Sequence, residues 1–170
     1  MAAEITVVCE PEQDALLAPL LADVHAWQAV RALPATQALV ASDGFYLHFA
    51  DDLLRLCRAS PAGAADPAGC ALEFAELRRR GSGPAELIKA CLGSNQGKGV
   101  KTLDLFAGWG LDAWQLAARG ADIECWEANT IVCALLRDSW RRAPRQWQDL
   151  LEIHCGACLL YTSPSPRDRG

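Results

Sequence analysis

The sequence lacks the features that mark membrane, secreted and zinc-binding proteins. It has no run of about 18 apolar residues and no basic segment leading into an apolar one at its start, so we expect neither membrane insertion nor secretion. The only C-x-x-C pair joins Cys155 and Cys158, and no second ligand pair follows it, so we expect no metal site. The eight cysteines are irregularly spaced among mostly apolar neighbours, which indicates buried thiols in a reducing cytoplasm.

The sequence is also poor in the side chains that build hydrolytic sites. Its three histidines, His25, His48 and His154, show no partner arrangement for acid–base chemistry, so we expect them in the core or on the surface. Neither a nucleophile elbow nor a catalytic triad is recognisable. We therefore assign no catalytic residue to this chain.

A glycine-rich stretch in the second half of the chain carries the strongest functional signal. A strand predicted over residues 101–106 runs into Asp104-Leu105-Phe106-Ala107-Gly108-Trp109-Gly110, and a second strand, predicted over 122–127, ends at Glu127. A strand, a glycine turn, a helix and then an acidic residue form the pattern of a nucleotide-type cofactor site, in which the acid holds ribose hydroxyls. A plain tight turn is the alternative for Gly108 and Gly110 alone.

The residues around the glycines indicate which cofactor would bind. A dinucleotide site has three glycines, but the third position here is Ala113. Asp104 would repel a pyrophosphate, whereas it can accept hydrogen bonds from an ammonium group. S-adenosylmethionine carries an amino group and a sulfonium charge but no phosphate. Together with Asp112 and Glu127, Asp104 therefore favours S-adenosylmethionine over NAD.

Two segments give the chain a family resemblance. Thr102-Leu-Asp-Leu-Phe-Ala-Gly-Trp-Gly-Leu-Asp-Ala, followed by Glu127-Ala128-Asn129, resembles the RsmJ family of bacterial methyltransferases, which act on a guanine exocyclic N2 in small-subunit (16S) ribosomal RNA. The similarity is continuous over about residues 70–157. It implies an α/β fold, a Rossmann-like class I SAM-dependent methyltransferase domain. It also implies a cytoplasmic location, with 16S rRNA or the small ribosomal subunit as partner and neither a membrane nor a metal involved.

The resemblance also implies where the cofactor is held. Besides Asp104, Gly108 and Gly110, it places cofactor contacts at three pairs that follow the strands: Leu111-Asp112, Glu127-Ala128 and Gly156-Ala157. The chain departs from the family where many relatives have an arginine (Leu111, Ala128), a proline (Thr130) or a serine pair (Gly156-Ala157). We expect contacts through the backbone rather than through side chains at those positions.

The end of the sequence does not resemble the family. Residues 158–170 have no periodicity, and we interpret them as the translation of a sequencing-library adapter, with a natural Pro/Ser-rich disordered tail as the alternative. Residues 78–157 are then a partial methyltransferase domain with its first three strands, and residues 1–77 a small N-terminal α/β appendage. The fourth strand and the Asp-Pro-aromatic-type segment that would hold the target amine are missing. We therefore expect the chain as given to bind cofactor weakly and to catalyse nothing.

Charge is unevenly distributed along the chain. Residues 1–77 hold eleven acids and three arginines, whereas residues 78–101 hold six basic residues against Glu86 alone. We expect the run Arg78-Arg79-Arg80 to contact RNA phosphates. For the second basic cluster, which spans residues 137–145, we expect a solvated helix face.

Local signals predict the elements of the N-terminal region. They are a strand over Glu4 to Cys9, a helix over Pro11 to Trp27, a hairpin of 37–42 and 45–49 around Asp43-Gly44, and a strand over Cys70 to Phe74. A third strand of the cofactor domain is predicted over 150–155.

Three functions remain open at this point. The favoured one is S-adenosylmethionine-dependent methylation of a guanine N2 in 16S rRNA, with this chain as part of the enzyme. The alternatives are a methyltransferase of the same fold with another substrate, and a noncatalytic module that binds the cofactor or RNA.

Overall fold

A computed structural model describes residues 5–24, 27–30, 44–58, 69–73, 90–93 and 99–156 of the 170-residue chain. These residues group into two units. The first unit lies within residues 1–77 and also includes Ala134–Ala143. The second unit comprises the rest of the described chain. No helix in the described ranges is both long and apolar enough to span a bilayer.

The first unit is built on a mixed four-stranded sheet. Its strands are β1 (Ile5–Val8), β2 (Trp27–Val30), β3 (Phe45–Ala50) and β4 (Leu53–Arg58), in the order β2-β1-β3-β4. Strand β1 is parallel to both of its neighbours, and β3 and β4 form an antiparallel hairpin. This small α/β unit has its own core, which includes fully buried Val7, Leu17, Leu47 and Leu54.

The helix of the first unit is shorter than predicted. A 3-10 turn over Pro11–Gln13 leads into α1 (Asp14–Leu20), so the prediction of a helix as far as Trp27 is wrong. Pro19 occupies the last turn, where its missing N–H cannot continue the helical hydrogen bonds. Trp27 instead begins β2, where an aromatic residue suits the sheet.

The hairpin is also displaced from its predicted position. Its turn is Asp51-Asp52, whose φ values of 54° and 59° are those of a two-residue turn that matches the strand twist. Strand β3 pairs with β1 and β4, and the predicted partner strand over 37–42 lies outside the described residues. The strand predicted from Cys70 is reduced to one bridge between Leu56 and Cys70, with Phe74 outside the described residues.

Buried Asp138 organises the arginines of the first unit. This residue lies on α3 (Thr130–Arg141), is 1% exposed, and accepts hydrogen bonds from the Leu54 N–H at 3.1 Å, from Arg141 at 2.9 Å and from Arg142 at 3.1 Å. Arg141 also contacts Asp52 at 2.8 Å. Burial opposes the charge of Arg141, but these hydrogen bonds to Asp138 and Asp52 raise its pKa.

Three arginines of the basic cluster over residues 137–145 are engaged within the first unit, so the prediction of a solvated helix face is wrong for Arg137, Arg141 and Arg142. Arg137 pairs with Asp23 at 2.6 Å, and Arg142 also donates to the Leu72 carbonyl at 2.7 Å. These contacts direct the arginines toward acids and a carbonyl of the protein rather than toward a phosphate ligand.

The second unit is a parallel three-stranded sheet. It consists of β5 (Lys101–Asp104), α2 (Leu111–Ala117), β6 (Asp122–Glu127), the start of α3, α4 (Arg145–Gln148) and β7 (Leu151–Cys155), with strand order β5-β6-β7. The three strands predicted from the sequence are confirmed, although β5 ends at Asp104, two residues earlier than expected. The chain leaves the sheet there because the glycine turn follows.

The two faces of this sheet differ. Ile123 and Cys125 of β6 are buried on the face against which α2 packs, and burial raises the pKa of the Cys125 thiol. On the opposite face the side chains are exposed or half-buried. Helices α2 and α4 meet through Trp114 and Trp147, whose rings lie edge to face with centroids 4.6 Å apart.

Candidate cofactor site

The candidate site lies where the three parallel strands of the second unit end. Strands β5, β6 and β7 finish at Asp104, Glu127 and Cys155, and their parallel direction brings these ends to one edge of the sheet. Ligands of open α/β sheets bind at the carboxyl ends of the strands. The loops that leave this edge therefore form the candidate ligand site.

The loop after β5 is a tight turn that requires glycine. Gly108 has φ of 50° and Gly110 has φ of 72°, both in the left-handed region that other residues rarely adopt. The Gly110 N–H donates to the Ala107 carbonyl at 2.7 Å, and Gly110 is also the N-cap of α2. The Phe106 N–H donates to Asp104 Oδ1 at 3.2 Å, so the carboxylate that ends β5 also orders the start of the turn.

Glu127 connects this turn to the end of β6. Its Oε2 accepts the Gly108 N–H at 2.8 Å and its Oε1 accepts the Asn129 N–H at 2.7 Å. The neighbouring Trp126 carbonyl accepts the Ala107 N–H at 3.0 Å. Each carboxylate oxygen has a second lone pair, so Glu127 can hold the turn and still accept hydrogen bonds from two ligand hydroxyls.

Asn129 is a site residue that the sequence reading missed. Its Oδ1 accepts the N–H groups of Ile131 at 3.0 Å and Val132 at 3.2 Å, which makes it the cap of α3. An asparagine directly before an apolar helical pattern is the signal that could have identified it. Because Asn129 also donates its own N–H to Glu127, the cap and the carboxylate form one arrangement.

The end of β7 adds a backbone position beside Glu127. The Gly156 N–H donates to the Glu127 carbonyl at 2.9 Å, and Gly156 has φ of 145°. Among the described residues, and apart from Gly156 and its chain neighbours, no atom lies within 4 Å of the position that a Cβ at Gly156 would take, so this part of its backbone is open to a ligand. Ala157, the other half of the predicted pair, lies outside the described residues.

The electrostatics of the site favour a cation. Burial raises the pKa of Asp104, and the nearby charges of Asp112 and Glu127 raise it further, while the hydrogen bond from the Phe106 N–H lowers it. Three mutually repelling carboxylates disfavour a pyrophosphate and favour a positively charged ligand. This arrangement fits the sulfonium and ammonium groups of S-adenosylmethionine.

Two aromatic residues of the glycine turn are exposed, whereas the ring of Trp126, near the end of β6, lies on the other face of the sheet. Phe106 is 73% exposed and Trp109 is 42% exposed, so either ring is available to a planar ligand group. Trp126 directly precedes Glu127, but its ring stacks on His154 with centroids 4.6 Å apart. Consecutive strand residues point to opposite faces, so the Trp126 ring does not share the face of the Glu127 carboxylate.

The structure thus brings six predicted site residues together and leaves others apart. Leu111 and Ala128 are exposed beside the site, at the start of α2 and just after β6. The arginine run 78–80 lies outside the described residues. Within the described ranges no group of three or more His, Cys, Asp and Glu side chains could hold a metal ion. The six residues that meet at the strand ends are Asp104, Gly108, Gly110, Asp112, Glu127 and Gly156.

Comparison with known proteins gives a match to one family model and relatives that align over only part of their length. Residues 36–157 match the model of a family described as putative SAM-dependent methyltransferases. The ribosomal RNA small subunit methyltransferase J of Legionella pneumophila (strain Philadelphia 1) is 46% identical over 66 residues, which cover 38% of this chain and 26% of the relative. The protein of the same name from Yersinia pestis (strain Pestoides F) is 38% identical over 100 residues, 55% of this chain and 39% of the relative. The matched segments therefore span well under half of these relatives.

A solved structure shares the fold. The crystal structure of a SAM-dependent methyltransferase from Neisseria gonorrhoeae superposes with a TM-score of 0.63 at 22% sequence identity, over 89% of this chain and 60% of that one. The α/β Rossmann-like architecture predicted from the sequence is thereby confirmed.

Proposed function

The chain belongs to the family of putative SAM-dependent methyltransferases, and on that premise we propose that it contains the cofactor-binding part of an enzyme that methylates a guanine exocyclic N2 in 16S ribosomal RNA. Binding of S-adenosylmethionine is supported by one observation: Asp104, Asp112 and Glu127 lie close together at one glycine turn. The rRNA substrate is supported by the names of the relatives from Legionella and Yersinia. The guanine N2 position is supported by the resemblance in the glycine turn and the segment after β6.

The residues of the chain have distinct roles in this proposal. When bound, S-adenosylmethionine supplies a methyl group carried on a positively charged sulfur. Glu127 orders the turn through the Gly108 N–H and accepts hydrogen bonds from the ribose hydroxyls with its remaining lone pairs. Asp104 and Asp112 favour the cationic groups of the cofactor over neutral or anionic ones.

The remaining predicted contacts are with the backbone and the ring of Trp109. Gly156, Leu111 and Ala128 provide main-chain groups at the edges of the site, and Trp109 offers a half-exposed ring to the adenine. Ala157, which lies outside the described residues, stays a predicted contact. The partner is 16S rRNA or the small ribosomal subunit in the cytoplasm, without a membrane or a metal ion. Orientation of the guanine amine needs a hydrogen-bond acceptor, and we assign none within this chain.

Two measurements on the 170-residue chain test the proposal. Calorimetric titration is expected to show binding of S-adenosylmethionine and none of NAD, because the three carboxylates disfavour a pyrophosphate. Incubation with small-subunit rRNA and labelled cofactor, followed by nucleoside analysis, then separates the candidates. N2-methylguanosine supports the rRNA enzyme, a methylated product only on another substrate supports a different methyltransferase, and rRNA binding without S-adenosylmethionine binding supports the noncatalytic module. Binding of the cofactor without transfer is the result expected of a partial methyltransferase domain. Binding of NAD instead would contradict the cofactor assignment.

A further inference from the structure

Asn129 is attached to the first turn of α3 through its side chain and its main chain. Its Oδ1 accepts the N–H groups of Ile131 at 3.0 Å and Val132 at 3.2 Å, two of the donors that a helix start leaves without an intrahelical partner. Its carbonyl accepts the N–H of Cys133 at 2.9 Å, and Cys133 is fully buried. The backbone of Asn129 is therefore held against a helix that is anchored in the core.

The backbone N–H of Asn129 is directed at the carboxylate of Glu127. It donates to Oε1 at 2.7 Å, while the Gly108 N–H donates to Oε2 at 2.8 Å. The terminal torsion of a glutamate side chain is broad, so a carboxylate in solution rotates easily. With one backbone N–H on each oxygen, this carboxylate cannot rotate without losing a hydrogen bond. Asn129 and Gly108 together therefore fix its orientation.

A fixed carboxylate suits a ligand that presents two adjacent hydroxyls. After the two backbone bonds, each oxygen of Glu127 keeps one lone pair, which provides one acceptor for each hydroxyl of a 1,2-diol. A carboxylate that is already ordered also loses less conformational freedom when the ligand binds. On the basis of the function proposed above, we propose that Asn129 is a positioning residue, which acts through Glu127 and makes the site selective for the ribose diol of the cofactor.

Hydrogen exchange on the 170-residue chain without ligand separates this role from that of a local helix cap. Asn129→Ala is expected to speed exchange about fivefold at Ile131 and Val132, whose acceptor is removed. If the cap also holds the carboxylate, the Gly108 amide, which lies far from residue 129 in the sequence, should exchange about threefold faster. Unchanged exchange at Gly108 would reduce Asn129 to a local cap and overturn the proposal.

Calorimetric titration tests the selectivity for the diol. Asn129→Ala is expected to weaken S-adenosylmethionine about fivefold and its 2′-deoxy analogue, which lacks one hydroxyl of the diol, less than about twofold. Asn129→Ser keeps a neutral oxygen that caps the helix equally well, so it should restore both affinities. Equal losses for the two ligands, or no rescue by serine, would show a purely structural role and refute the assignment.

A matched control removes a similar hydrogen bond from another helix start. The Gln13 side chain accepts the Glu10 N–H at 2.9 Å in the first unit, and Gln13→Ala is expected to leave both affinities unchanged. A loss in Gln13→Ala equal to that in Asn129→Ala would contradict a specific role of Asn129. Absence of S-adenosylmethionine binding by the wild type would contradict the proposed function, whereas exchange at Gly108 decides independently whether Asn129 holds Glu127.

Discussion

Replacing Glu127 with glutamine should weaken both the glycine turn and cofactor binding. In the wild type the two carboxylate oxygens accept the Gly108 N–H at 2.8 Å and the Asn129 N–H at 2.7 Å. Glutamine keeps one acceptor oxygen but places an NH2 group at the other position, where it meets a backbone N–H donor. One charge-assisted hydrogen bond is lost, and such bonds contribute about 1.5–3 kcal/mol.

The partial exposure of these groups favours the lower end of that range. Because the cofactor binds the ordered turn, a loss of about 1.5 kcal/mol from that order reduces the affinity for S-adenosylmethionine by at most about tenfold. The loss of an acceptor for the ribose hydroxyls reduces the affinity further. Calorimetric titration of the variant measures this change, and Glu12→Gln serves as an exposed control of the same chemistry that is expected to bind as the wild type does.

Hydrogen exchange separates the two effects of the substitution. The Gly108 amide should exchange faster in Glu127→Gln, because its acceptor is lost, while amides of β6 that bond within the sheet should keep their protection. Cofactor affinity within twofold of the wild type, or unchanged exchange at Gly108, would refute the role assigned to Glu127.

Three further substitutions, one of them with a matched control, test the fold and the site. Gly110→Ala should destabilise the chain by about 1–2 kcal/mol in urea unfolding, because its φ of 72° is unfavourable for a residue with a Cβ; an equally stable variant would contradict this reason. Since the pKa of Asp104 is raised above its ordinary 3.8, the folded chain should lose stability as pH rises through that titration. Asp104→Asn should remove this loss while weakening cofactor binding, and unfolding curves with the same pH dependence as the wild type would refute it. Asp138→Ala should destabilise by about 3 kcal/mol, since it leaves buried donors without their acceptor, whereas Asp23→Ala, at an exposed pair, should cost under about 1 kcal/mol; similar losses would show that burial does not decide the difference.

The second unit was predictable because its signals are local. The glycine turn and the acidic residue at a strand end predict β5, β6 and the helix between them, α2, within about thirty residues of sequence, the size of one βαβ unit. The resemblance to the RsmJ family, drawn from the same stretch, is confirmed by the relatives. The third strand, β7, continues the same parallel sheet next to β6.

The first unit was less predictable because its pairing is nonlocal. Asp43-Gly44 is a strong hairpin signal, yet the described hairpin turns at Asp51-Asp52, where two residues with side chains adopt positive φ. Such residues carry little turn signal by themselves, and tertiary pairing of β3 with β1 decides the register. The prediction that the helix extends beyond Leu20 was wrong for a similar reason, because Trp27 pairs with Ile5 in the sheet.

Several contacts could not have been read from the sequence at all. Asp138 meets Leu54 across 84 positions of the chain, and Trp126 meets His154 only because β6 and β7 are in register. The sequence indicates residue types and local periodicity, while these contacts depend on how distant strands align.

The position of Glu127 limits how the ligand preference of this sheet edge can be redesigned. Loops from all three strands bond to this single residue: Gly108 and Asn129 to its side chain, and Gly156 to its main-chain carbonyl. An exchange of its side chain, as a designer seeking a different sugar or phosphate preference would attempt, releases two loops at once and leaves only the third in place. Ala128 and Trp109, whose exposed side chains have no such shared bonds in the described structure, are therefore the positions to diversify first in a mutant library.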